Sequence, residues 1–146
     1  MEEIAQQTTT VEATTNEVTA TAKRGKKTKR NVPHAQIHVF ASFNNTIVTL
    51  TDASGAVLAA TSAGACGFRG SKKGTAYAAQ VAAEKVASTA KQIFGVRKAD
   101  VFVKGVGQGR DTAARALMSQ DISIESITDK TPVAHGGVRP RKSRKG

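Results

Sequence analysis

Cysteine occurs once in 146 residues, tryptophan is absent, and aromatic residues make up only 4% of the chain. The single thiol, Cys66, excludes an intrachain disulfide, and no Cys/His set has the spacing of a zinc site. A reducing, cytoplasmic setting is expected. Apolar stretches fall far short of the roughly 20 residues that span a bilayer, and Glu2 and Glu3 stand where a signal peptide would carry cations. Neither a membrane span nor a signal peptide is expected. With so few rings, the core has to come from Val, Ile, Leu and Ala with a few Phe, which favours thin, closely packed layers. A hydrophobic content of 39% over this length supports one domain.

Acidic residues are scarce where the cations lie. The net charge is +11, yet residues 1–22 hold four Glu and no Lys or Arg, so residues 23–146 set 22 cations against seven carboxylates, a net +15. A compact domain with that charge repels itself until a polyanion neutralises it, and nucleic acid is the commonest such partner. A membrane surface fits less well, because no amphipathic basic helix accompanies the charge.

Composition divides the chain into four parts. Residues 1–22, rich in Thr, Glu and Ala without periodicity, are expected to be a disordered extension. In the run 23–30, Lys23, Arg24, Lys26, Lys27, Lys29 and Arg30 are too densely charged to pack on one another and are expected to order only on a polyanion. Residues 31–133 read as the globular domain. Residues 134–146 form a second basic tail with His135, Arg139, Arg141, Lys142, Arg144 and Lys145.

Inside the domain the periodicity changes in a readable order. Ile37, Val39, Ala41 and Phe43 alternate with His38, Phe40 and Ser42 as in a strand. Asn44-Asn45 supplies a turn, since Asn tolerates positive φ, and the β-branched run 46–52 returns. Asp52 to Gly55 is a second turn, followed by a strand over 56–62. The glycine-rich segment 63–74 leads into a helix over 75–94, closed by Gly95, with Ala79, Ala83, Val86, Ala90 and Ile93 on its packing face. A strand over 99–104, a helix over 111–120 with Asp111 as N-cap, and a strand over 122–128 complete an α/β fold with a mixed sheet and right-handed crossovers.

Two constellations can bind anions. Gly105, Gly107 and Gly109, between Lys104 and Arg110, sit where a strand meets a helix N-terminus, so backbone N–H groups and full charges can meet a phosphate. The dinucleotide fingerprint is excluded, because Arg110 occupies the position of its third glycine. Tight strand-to-helix packing explains the same glycines. Segment 67–74 combines Gly70, the cations Arg69, Lys72 and Lys73, and Phe68, a ring able to stack on a base or to anchor the loop. If both helices start near one sheet edge, these segments form one basic surface. An enzyme would need more. Asp52, Glu84, Asp100, Asp111, Asp121, Glu125 and Asp129 show no pairing for acid/base work or Mg²⁺, and His34, His38 and His135 lack a partner nucleophile. No catalytic residue, metal ligand, cofactor or small-molecule substrate is expected.

The stretches ASFNNTIV (41–48), GFRGSK (67–72), AAQVAAE (78–84), VFVKG (101–105), Gly109-Arg110, Arg115 to Leu117 and ITD (127–129) followed by Thr131-Pro132 resemble, in order, the bacterial type of the small-subunit ribosomal protein eleven family. The likeness runs from about Lys23 to the C-terminus. It implies a three-layer α/β/α domain of ribonuclease H-like architecture with a mixed five-stranded sheet and no catalysis. It also implies a place on the small-subunit platform beside neighbouring ribosomal proteins, on 16S-type rRNA, near the messenger-RNA exit cleft in the cytoplasmic ribosome. Asn44, Asn45, Arg69, Lys72, Lys73, the segment from Lys104 to Arg110, and Arg115 would face RNA, while His135 and the tail from Arg139 would thread into it.

Two departures stand out. Val106 and Gln108 replace the family's usual prolines, which loosens the turn, and Gly136-Gly137 replaces an Asn-Gly step, which excludes isoaspartate chemistry there. A general nucleic-acid chaperone or DNA-compacting protein stands as the alternative, with a metal-dependent nuclease least supported.

Overall fold

The computed structural model describes residues 30–143. Strands β1 (His34–Ala41), β2 (Thr46–Thr51) and β3 (Val57–Ser62) form an antiparallel meander, followed by 3₁₀ turns at Gly64–Cys66 and Gly70–Gly74. Helix α1 (Ala76–Phe94), strand β4 (Lys98–Lys104), helix α2 (Gly109–Ser119) and strand β5 (Ser123–Asp129) complete the order. The sheet runs β3-β2-β1-β4-β5, with β4 parallel to both β1 and β5.

Each element follows from local chemistry. Asp52 Oδ1 accepts hydrogen bonds from the Ser54 hydroxyl and from the Ser54 and Ala56 N–H groups, while Gly55 takes φ +89°, so the second turn forms as read. The first turn forms by another route. Neither Asn has positive φ. Instead the Ser42 hydroxyl donates to the Asn45 carbonyl (3.1 Å) and accepts from the Asn45 N–H (3.2 Å). Phe43 leaves the strand with that turn and is 77% exposed. Thr75 caps α1 by accepting from Ala78 N–H, and Gly95 ends it in the left-handed region. The stripe predicted for α1 repeats every 3.5 residues and drifts around a 3.6-residue helix. By its last turn Ile93 is exposed, and Phe94 packs on the core instead.

Asp111 is not the cap of α2. The helix begins at Gly109 directly from the glycine turn, with Arg110 N–H bonded to the Gly107 carbonyl, and Asp111 lies in the first turn, where its charge favours the helix dipole.

The layering departs from the three-layer expectation. Both crossovers, β3 to β4 and β4 to β5, advance across the sheet in the same direction. Right-handed connections then place both helices on one face, where they pack on each other and on the sheet. Ala35, Ile37, Val39, Val48, Leu50, Val101 and Val103 form the sheet side of the core. Ala79, Ala82, Ala83 and Val86 of α1 and Ala113 and Leu117 of α2 close it. Small helix residues let the backbones approach, which is how a core with almost no buried rings reaches interior density. Among the described residues, no helix covers the opposite face.

Candidate nucleic-acid interface

The two glycine-rich segments meet at one end of the sheet, on either side of the β1–β2 hairpin. A Cβ on Gly74 would overlap the Phe43 carbonyl oxygen, one on Gly105 that of Ala41, and one on Gly107 that of Ser42. A groove there is lined by Phe43, Ser71, Gly74, Thr75 and Gln108, so the starts of α1 and α2 share it. The two segments expected to share a surface therefore meet in space.

Its members are held differently. Arg69 and Lys72 are exposed and Lys73 is half-buried, and no ion pair engages any of the three among the described residues. Phe68 is half-buried edge-on against Tyr77, with ring centroids 5.8 Å apart, which makes it first an anchor of the loop. Asn44 is exposed, whereas the Asn45 side chain accepts from Thr46 N–H (2.9 Å) inside the hairpin. Gly70, at φ +59°, opens the second 3₁₀ turn at the surface.

The 105–110 turn spends much of its polarity internally. Gly105 N–H donates to Thr131 Oγ1 (3.1 Å) and Gly107 N–H to the Ala41 carbonyl (2.9 Å). Arg110 donates to the Gly105 carbonyl (2.9 Å) and pairs with Asp129 (2.7 Å). The Thr131 hydroxyl, Arg110 and the Thr131 N–H hold the Asp129 carboxyl far below its ordinary range, and Asp129 in turn raises Arg110. Packing thus claims these glycines and this arginine first, and Lys104 is the exposed cation at the turn.

The remaining predicted residues are spread more widely. Arg115 is exposed on α2, beside Asp111 and Met118. His135, Arg139, Arg141 and Lys142 are exposed, as is Arg30. Lys23, Arg24, Lys26, Lys27, Lys29, Arg144 and Lys145 lie outside the described residues.

One cluster escaped the sequence. His34 Nε2 lies 3.3 Å from both Asp100 Oδ2 and Glu125 Oε2, and the three donor atoms fall within 4.8 Å of one another. A bulge at Ala99/Asp100 pairs Asp100 with Ser126 and leaves Glu125 as the extra residue, so both lie beside Asp100, a register feature with no local signature. Lys98 donates to Glu125 (2.6 Å) and holds its carboxyl below the ordinary pKa, and Ser126 donates to Asp100 (2.6 Å). These bonds already engage one oxygen of each carboxylate, so the cluster works as a network of polar contacts around the Lys98–Glu125 ion pair, tying β1, β4 and β5 together.

Fold and composition define a small, strongly basic α/β domain whose two glycine-rich, cation-bearing segments meet at one sheet end. The family model described as Ribosomal protein S11 matches residues 35–145. A protein described as small ribosomal subunit protein uS11, from Coprothermobacter proteolyticus, is 49% identical over 124 residues, covering 85% of this chain and 98% of that protein. The chain belongs to the ribosomal protein S11 family, and is accordingly a structural protein of the small subunit of the cytoplasmic ribosome, not an enzyme. No helix among the described residues is long and apolar enough to cross a membrane.

Proposed function

We propose that this protein binds small-subunit rRNA on the platform and holds it in its assembled geometry, helping to shape the messenger-RNA exit cleft beside neighbouring ribosomal proteins. The observation that carries this is the meeting of segment 63–74, hairpin 42–45 and turn 105–109 at one sheet end, with Arg69, Lys72, Lys73 and Lys104 around them.

Fixed cations on short, packed loops meet phosphates at little cost in conformational freedom. The flanking arms at 23–30 and 134–146, beyond a domain of residues 31–133, would lose more freedom as they fill RNA grooves. Asn44, Asn45, Phe68, Gly70, Arg110, Arg115 and the glycines of the 105–109 turn complete the RNA-facing set. Recognition then depends on RNA shape and loops more than on linear sequence.

The test is binding to folded small-subunit rRNA against an equal excess of unrelated structured RNA, across a salt series. Selective binding that weakens steeply with salt is the expected result. Equal affinity for both RNAs would leave a generic basic chaperone as the better account.

A further inference from the structure

We propose that the uncovered face of the sheet is a stacking platform for unpaired RNA nucleotides, anchored by Phe40. This rests on the rRNA reading above and assigns it a second, separate surface. The face is open because both crossovers lie on the other side, and beside polar residues such as Gln36 and Thr49 it exposes apolar and aromatic side chains at one end. Phe40 and Ile47, partners across β1 and β2, are 46% and 39% exposed, and Lys104 is the partner of Phe40 on β4. In the next row His38 stacks on Phe102 with centroids 5.1 Å apart, and the Lys130 ammonium lies 4.0 Å over the Phe102 ring. Burial and then Lys130 lower the basicity of His38, so that imidazole favours its neutral, stacking form.

Charge is sorted along this face. Its carboxylates, Asp100 and Glu125, sit at the far end and are engaged by His34, Lys98 and Ser126. The end that carries Phe40 has Lys104 and Lys130, and it runs directly into the hairpin and the glycine turn. Rings and a β-branched side chain flanked by cations, without a free carboxylate beside them, match a base and its phosphate. An acidic protein surface would find the cations but would leave the ring unused, whereas every base has a π-face for Phe40. Continuity with the loop cations lets one RNA strand leave a phosphate-bound helix and lay an unstacked nucleotide on the sheet.

The experiment uses the full chain and folded small-subunit rRNA. Phe40→Ala and Phe40→Leu are expected to bind about 5- to 150-fold more weakly with an unchanged salt slope, because stacking releases no counterions. Phe40→Trp keeps or improves affinity. Thermal melts confirm that these surface variants fold. A photocrosslinking amino acid at position 40, placed in assembled subunits, is expected to form its adduct with rRNA. Binding by Phe40→Ala equal to the unmodified chain, or an adduct with a ribosomal protein, overturns the platform while the selective binding proposed above stands. Loss of rRNA selectivity in the unmodified chain overturns that underlying reading instead, and the platform with it.

Discussion

Two segments of this protein look alike on paper and differ in space. Residues 63–74 and 105–110 are both rich in glycine and carry cations near their ends, and both lead into a helix. In the second, Gly105, Gly107 and Gly109 are pressed against Ala41, Ser42 and Thr46, and Arg110 is locked to Asp129. In the first, Gly67 and Gly70 have open space around the missing Cβ and are glycine for their positive φ, at +97° and +59°. Gly74 alone is pressed there, against Phe43. One segment is a joint and the other is a display. Glycine content alone does not separate these uses; what the missing Cβ would touch does.

The largest effect that would break this contrast is on stability. In Gly105→Ala the new Cβ meets backbone, which no rotamer change relieves, at φ +106°. Overpacking and strain together predict a loss of ~3–5 kcal/mol in urea unfolding. Gly67→Ala carries only the strain and loses ~1–2 kcal/mol. Equal losses would mean that both segments are joints. The next effect is on binding. Replacing Arg69, Lys72 and Lys73 by Gln together removes up to three phosphate contacts, for an affinity loss on the order of 50-fold near physiological salt and a salt slope shallower by ~2–3. Melting temperature stays unchanged, whereas Arg110→Gln lowers it.

What the sequence made legible was local. Alternation from Ile37 to Ala41, the Asp52 to Gly55 turn and the Gly95 helix stop each depend on residues within one or two turns of each other, and the structure has them. What stayed hidden depends on partners far along the chain. Arg110 reads as a free phosphate ligand until β5 brings Asp129 beside it, and His34, Asp100 and Glu125 meet only through the register of three strands. The layering needed the strand order. With β4 beside β1 and β5 beyond it, both crossovers must turn the same way, and the third layer is then left without a helix to fill it. That the two basic segments meet was anticipated only as a condition, because which ends of the helices share an edge is a property of the whole sheet.

The smallest effect tests the lock within the joint. Asp129 has its pKa lowered from an ordinary value of 3.8 by the Thr131 hydroxyl first and Arg110 next. A folded-state pKa below the unfolded one means that the ionised carboxylate stabilises the fold above the unfolded pKa. That contribution is lost as pH falls through the folded value. Asp129→Asn keeps an acceptor for Thr131 but not the charge. The variant is therefore expected to melt slightly lower than the unmodified chain at neutral pH, with a gap that is constant down to about pH 4 and closes below it. Because a hydroxyl that carries no net charge is the larger cause, high salt, which screens the half-exposed Arg110 pair, leaves most of the pH dependence in place. A gap that ignores pH would show that Asp129 serves as a neutral acceptor alone. A gap abolished by salt would transfer the lock from Thr131 to Arg110 and make the arginine, not the turn's hydrogen bonds, what distinguishes this segment from its exposed counterpart.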